Sequence, residues 1–363
     1  MKNKRNRLLV GSIVVLGLCF AAWKVNVVPI VCAKIQDAMS DTMTIPYGNA
    51  ILGGVAVMSP DVKQMAFCQG TPEFFIQELE TEKITAYPTQ DNIYQVKYSP
   101  DGNYLVAGRN VFNRQTGQIR QLATEAMIIP HLEDHMTFSP DGKSLALLSD
   151  KMGGHMELST IEIWNLQTQQ LMHTLPVPYT HIPEMVFSRD GRYLATAGKV
   201  IRIWDIQDGK CIQTLATNPK AEYMSLNHNS QYDTIAYSPD GKYLAAGVQM
   251  EYIQQSFDPT SIHEHFIEIW DMEQGKVVKR LDWGHIASKL KYSPDGHYLA
   301  TGRTVGMKDA IRDVVWIWDV TNWQVVKKMT QFPDYHITSM GYSADGSYVA
   351  VSGAWHLKVW RIQ

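Results

Sequence analysis

Apolar and polar positions alternate in short runs along most of the chain, and a recurring polar turn interrupts them. EMVFS (184–188) leads into one such turn and RYLATAG (192–198) leads out of it. Short apolar runs bounded by Ser, Pro, Asp and Gly predict β-strands, and the helical signal is poor. A third strand follows each turn-linked pair: IEIWNL (161–166), VIRIWDI (200–206), IEIWDM (267–272), VWIWDV (315–320) and LKVWRI (357–362). A second turn, such as Asp208-Gly209 or Gln274-Gly275, leads to a fourth strand, CIQTL (211–215) or VVKRL (277–281). The third strands are apolar almost throughout, as expected where stacked sheets bury both faces.

The turn itself repeats. MSPD stands at 58–61, YSPDG at 98–102, FSPDG at 138–142, FSRDG at 187–191, YSPDG at 237–241 and again at 292–296, and YSADG at 342–346. The third positions, Pro60, Pro100, Pro140, Arg189, Pro239, Pro294 and Ala344, are separated by steps of 40, 40, 49, 50, 55 and 50 residues. Proline presets φ at the second turn position, aspartate tolerates the next, and glycine accepts the left-handed conformation that closes a short hairpin. Seven units of four strands predict an all-β fold, a seven-bladed β-propeller in which no blade buries its surface alone.

Over roughly residues 40–363 the chain resembles the WD40-repeat family. Trp204-Asp205, Trp270-Asp271 and Trp318-Asp319 sit where that family carries its name-giving dipeptide, with Trp164-Asn165 and Trp360-Arg361 as near matches. FFIQELE (74–80) and NVFNRQ (110–115) hold the place in the first two units without a tryptophan. The resemblance implies a buried polar network, in which a Gly-His pair bonds a Ser or Thr, an Asp and the strand Trp. Gly284-His285, Thr301, Asp313 and Trp318 match it in the sixth unit, whereas Lys199 and Trp355 take the aspartate's place in the fourth and seventh. His131, His181 and His336 recur at the same position as His285 and read as structural. The tyrosines around the turns recur at fixed places too, which points to packing. The resemblance specifies the fold and leaves the function open.

The 363 residues carry a formal net charge of -3 with a pI near 6.5, which lacks the basic bias of a nucleic-acid binder. The only marked asymmetry is at the start, where Lys2, Lys4, Arg5 and Arg7 precede LLVGSIVVLGLCFAAW (8–23). Basic then apolar is the order of a secretory signal or a membrane anchor, so residues 1–33 read as one or the other. Processing after Ala33, with Ala21 as the weaker site, gives a secreted or periplasmic protein. Retention leaves residues 8–33 in contact with a membrane, and either way the propeller (50–363) lies outside the cytoplasm. Residues 34–49 form a linker. Because the final unit ends after its third strand, Met39–Ile45 is expected to supply the missing outer one, with Val25–Cys32 as the fallback. In the body of the chain Cys68 and Cys211 read as buried free thiols.

Four connections are long: 149–159, 249–265 and 303–313 between second and third strands, and 216–233 between units. In a propeller they emerge on one rim. They carry Met152, His155, Met156, Tyr252, Phe257, His263, His265, Met307, Lys308 and Arg312, a composition typical of interface centres. The reading is a scaffold that binds a protein or peptide partner through this rim, with no catalytic residue, cofactor or metal assigned. No Gly-x-Ser-x-Gly, P-loop, Cys-x-x-Cys or HExxH pattern is present. The alternative is a propeller enzyme or ligand-binding protein that uses the central funnel, with His155, His263, His265, Glu157 and Glu264 gathering a metal.

Overall fold

A computed structural model describes residues 42–46, 55–61, 63–123, 136–149, 160–177, 182–216, 230–252, 262–282, 285–303, 313–330, 337, 339–343, 345–352 and 356–362. Among these residues there is no helix, and the strands form seven four-stranded antiparallel sheets. In six of them the four strands follow chain order across the sheet. The seventh, Ser339–Tyr342, Tyr348–Ser352 and His356–Arg361, takes Thr42–Pro46 as its fourth strand, with Thr42 opposite Trp360 and Pro46 opposite His356. This strand overlaps the stretch expected for it, beginning three residues later and ending one residue later, and Val25–Cys32 lies outside the described residues.

The chain groups into two compact units. One comprises 1–121, 306–312 and 331–363, and the other 122–305 with 313–330. The first holds the first, second and seventh sheets. There Phe74, Ile93, Val96 and Leu105 are fully buried between the first and second sheets, and the ring of Phe74 stacks on Tyr87. The second unit holds the third to sixth sheets, whose innermost strands touch in sequence order. Ile161 and Leu194 are fully buried between the third and fourth sheets, Ile201 and Leu244 between the fourth and fifth, and Ile267 and Leu299 between the fifth and sixth. Burial on both faces explains why these strands are nearly all apolar.

The repeated turn is held by one small network. In every sheet the turn serine donates to the aspartate two residues on, at 2.5 to 2.6 Å, from Ser59–Asp61 through Ser343–Asp345. In six of the seven, the backbone N–H of the glycine donates to the serine carbonyl, as Gly102 does to Ser99 at 2.9 Å. The serine oxygen in turn accepts the N–H of the residue five positions on, as from Tyr104 at 2.9 Å. These serines are buried, so their bonds are satisfied inside the hairpin.

The outer strands of the third to sixth sheets share an irregularity. The pairing shifts register next to Trp164, Trp204, Trp270 and Trp318, and one residue of each outer strand is left over as a β-bulge. That residue is Met172, Ile212, Val278 and Val326 in turn, and each is exposed. Cys211 lies beside one of these bulges, opposite Trp204, and is exposed, whereas Cys68 is buried. The expectation of a buried thiol therefore fails for Cys211, because an outermost strand has no further sheet to cover it.

Candidate functional site

The fifth sheet departs most from its neighbours. Its second and third strands, Tyr243–Tyr252 and Ile262–Asp271, run ten residues each, against four and five for Tyr193–Thr196 and Ile201–Asp205 in the fourth. They pair without interruption from Tyr243 opposite Asp271 to Tyr252 opposite Ile262. Much of the segment expected as a loop at 249–265 is therefore a β-ribbon. Gln249-Met250-Glu251-Tyr252 alternates polar and apolar, the pattern of a strand, but Ile262-His263-Glu264-His265 follows one apolar residue with three polar ones, so the second strand does not stand out. The innermost strand, Ser230–Tyr237, follows the ribbon as far as Ser230 opposite Met250, so the end of the expected 216–233 loop is also strand.

A buried charge anchors the ribbon. The carboxylate of Glu268 is fully buried and accepts from Arg280 Nε at 3.0 Å, with Arg280 Nη2 at 2.9 Å, and from the Tyr232 hydroxyl at 3.3 Å. The Arg280 guanidinium also lies 4.7 Å from the centre of the Phe266 ring. One carboxylate thus ties together the first, third and fourth strands where the ribbon leaves the packed part of the sheet. Removing the Arg280 charge would leave the buried Glu268 carboxylate without its ionic partner, whereas Arg280 is itself half exposed. Sequence reasoning missed Glu268; the signal was an acid inside the apolar run IEIWDM. A second carboxylate, Glu184, accepts from Thr234 Oγ1 at 2.7 Å and from the N–H of Ile235 at 2.9 Å, fixing the fifth sheet to the fourth.

Of the residues expected on the rim, Tyr252, His263 and His265 are on this ribbon, with Glu251 opposite His263 and Gln249 opposite His265. His265 is half-buried. Met152, His155, Met156, Phe257, Met307, Lys308 and Arg312 lie outside the described residues, as does Glu157. Among the described residues no group of three or more His, Cys, Asp or Glu side chains is placed to hold a metal ion.

The expected polar network of the sixth sheet is present in part. The indole N–H of Trp318 donates to Thr301 Oγ1 at 3.1 Å. The imidazole of His285 lies 2.9 Å from Arg303 Nη1, an arginine the sequence reading had not brought into the network. Arg303 is buried at the end of the same strand as Thr301, which puts it beside the histidine. Asp313 opens the third strand, opposite Thr330, and its side chain lies outside the described residues.

Residues 1–41 are likewise outside the described residues; among those described, no helix is long and apolar enough to cross a membrane.

No family model matches the chain. It is 25% identical over 169 residues to the small ribosomal subunit protein RACK1y of Oryza sativa subsp. japonica, covering 45% of this chain and 41% of that protein. It is 22% identical over 169 residues to an uncharacterised WD repeat-containing protein of Synechocystis, covering 46% of this chain and 40% of the relative. The chain thus spans about two fifths of the length of these relatives. Among solved structures, a chain of Kuenenia stuttgartiensis hydrazine synthase superposes with a TM-score of 0.60 at 18% identity, covering 86% of this chain and 96% of that one. A chain of the mitotic checkpoint complex gives 0.58 at 18% identity, covering 88% and 90%. At such identities the structures speak for the fold alone. Sequence relatives and structural neighbours agree with the turn-and-tryptophan repeat that this chain is similar to the WD-repeat β-propeller proteins.

Proposed function

We propose that the protein is a non-enzymatic scaffold, carried out of the cytoplasm by residues 1–33 and either released or left tethered there. It docks a protein or peptide on the end of the sheets that carries the long second-to-third-strand connections. The likeness to WD-repeat proteins supports the scaffold role, and the basic-then-apolar start supports export. The observation that carries the docking surface is the ribbon of the fifth sheet. It extends well past the strands of the fourth sheet, and its root is tied by the buried carboxylate of Glu268, which binds the half-exposed Arg280 and Tyr232. A rigid projecting element loses little conformational freedom on binding, which favours affinity.

The test is replacement of residues 252–263 by a short Gly-Ser turn. Cross-linking to envelope proteins should disappear while the melting temperature holds. Undiminished cross-linking, or loss only alongside a collapsed melting temperature, would sink the reading. A reporter active only after export, fused behind Gln363, should be active; silence with an intact cytosolic fusion overturns the location.

A further inference from the structure

At three places, the proline of one Ser-Pro-Asp turn covers the glycine of the turn in the next sheet. Pro60 Cδ is 3.6 Å from the point where a Cβ would sit on Gly102, Pro140 Cδ is 3.7 Å from that point on Gly191, and Pro239 Cδ is 3.5 Å from it on Gly296. Each pair is a ring lying on bare backbone. Between the fourth and fifth sheets the device is missing. Arg189 holds the proline's place, and no atom comes within 4 Å of the same point on Gly241. The arginine reaches sideways instead, and Nη1 donates to the carbonyl of Pro239 at 3.0 Å.

The space so opened is a cleft of about 480 Å³. Its apolar walls include Tyr193, Tyr237, Met272 and Ile212, and Ile212 is 54% exposed. Two exposed carboxylates, Asp190 and Asp240, line it against the single guanidinium of Arg189, so the lining residues carry a net negative charge; the exposed Lys242 ammonium stands 3.9 Å from Asp240 at its edge. Arg192, nearby, is paired with Asp205 at 3.1 Å. The cleft opens at the Ser238–Gly241 end of the fifth sheet, the end opposite the ribbon tip.

We propose that this cleft docks a short peptide segment that sets a proline or other small apolar side chain on Gly241 and a neighbouring lysine or arginine against Asp190 and Asp240. The apolar group takes the place that the turn proline fills on Gly102, Gly191 and Gly296. An uncovered glycine flanked by aromatic rings suits a proline, whose stiff backbone is already extended and loses little freedom on docking. The acidic lining selects a cation beside it. This surface is independent of the ribbon and stands or falls without it.

The probe is a library of 12-residue peptides displayed on phage and selected against the immobilised full chain, with winners synthesised and titrated by fluorescence anisotropy. Selected peptides should share a proline or small apolar residue next to a lysine or arginine. Arg189→Pro should weaken them by about tenfold or more, since it closes the cleft as at Gly102, Gly191 and Gly296. None of the turn's hydrogen bonds uses the Arg189 N–H, so that variant keeps the turn. Ile212→Arg, on an exposed outer strand, should weaken them as well without touching the core. Replacement of 252–263 should leave affinity unchanged. No enrichment, enrichment of acidic peptides, or peptides that bind Arg189→Pro and Ile212→Arg as tightly as the parent would each overturn the proposal.

Discussion

Trp318 and Thr301 meet across two paired strands, the indole N–H donating to the threonine hydroxyl at 3.1 Å inside the sixth sheet. Trp204 and Thr196 repeat the contact at 3.2 Å in the fourth. In the third sheet the corresponding residue is Leu147, and Trp164 donates instead to Glu162, two residues earlier, at 2.9 Å. In the fifth it is Ala246, Glu268 is engaged by Arg280 and Tyr232, and the buried Trp270 Nε1 has no hydrogen-bond partner.

Thr301→Val keeps the shape and strands the indole donor, so it should cost about 1–3 kcal/mol. Ala246→Thr should do the reverse, raising the melting temperature by giving Trp270 an acceptor at a position where Thr196 and Thr301 are equally buried. Thermal melts of the two variants check this; a neutral Thr301→Val would show that the bond contributes nothing.

The tyrosine preceding the turn serine makes a contrasting case. The hydroxyls of Tyr98, Tyr237 and Tyr292 are buried without a hydrogen-bond partner, and burial pushes each phenol well above its usual range. Phe138 and Phe187 occupy the same place in the third and fourth sheets. Tyr292→Phe should therefore be neutral or stabilising, because it removes a desolvated group that returns nothing. A fall in melting temperature beyond a degree or two would reveal a partner.

Two turn glycines separate backbone strain from crowding. Gly117 (φ +70°) has open space where a Cβ would go, whereas at Gly209 (φ +65°) that Cβ would meet His173 Nδ1 at 2.5 Å. Gly117→Ala should cost about 1–2 kcal/mol for the left-handed backbone alone. Gly209→Ala should cost more, since the imidazole must leave its contact with the Gln207 carbonyl. Equal losses in chemical denaturation would count against the steric part.

Acid should loosen the turns together. For Asp61, Asp141, Asp240 and Asp295 burial is the largest single influence and raises the pKa, yet the serine hydroxyl and a backbone N–H outweigh it, so the net shift is downward. For Asp190 the Ser188 hydroxyl dominates, again downward. A depressed native pKa adds stability that is complete above the unfolded value, near 3.8, and is lost as pH falls through the lower native values. The urea midpoint should therefore drop between pH 5 and about 2.5. Asp141→Asn and Asp295→Asn should start lower and drop less; an unchanged slope would place the acid sensitivity elsewhere.

The repeat was legible because its chemistry is local: serine, aspartate and glycine act within five residues of one another, and the chain shows them side by side. The ribbon was less so. Its strands carry His263, Glu264 and His265, whose polarity reads as loop until their pairing with Gln249, Met250 and Glu251 is seen. Arg189 was visible as a departure from proline, but its consequence falls on Gly241, more than fifty positions later and in another sheet. Glu268 and Arg280 were each unremarkable as members of separate strands, and only the register joins them. Cys211 looked like a core residue because free cysteines are commonly buried, and only its place on an outermost strand shows otherwise.

The bulges opposite the four tryptophans bear on how the protein behaves in company. An outer strand that kept strict alternation would offer a neighbouring molecule a straight ladder of unpaired amides, an open invitation to polymerise. Met172, Ile212, Val278 and Val326 each break that ladder part-way along, so an approaching strand falls out of step after two or three residues. These four outer edges resist strand-to-strand addition at high local concentration, which leaves side-chain contacts such as that of Ile212 in the cleft, together with the strand ends and turns, as the routes to selective contact.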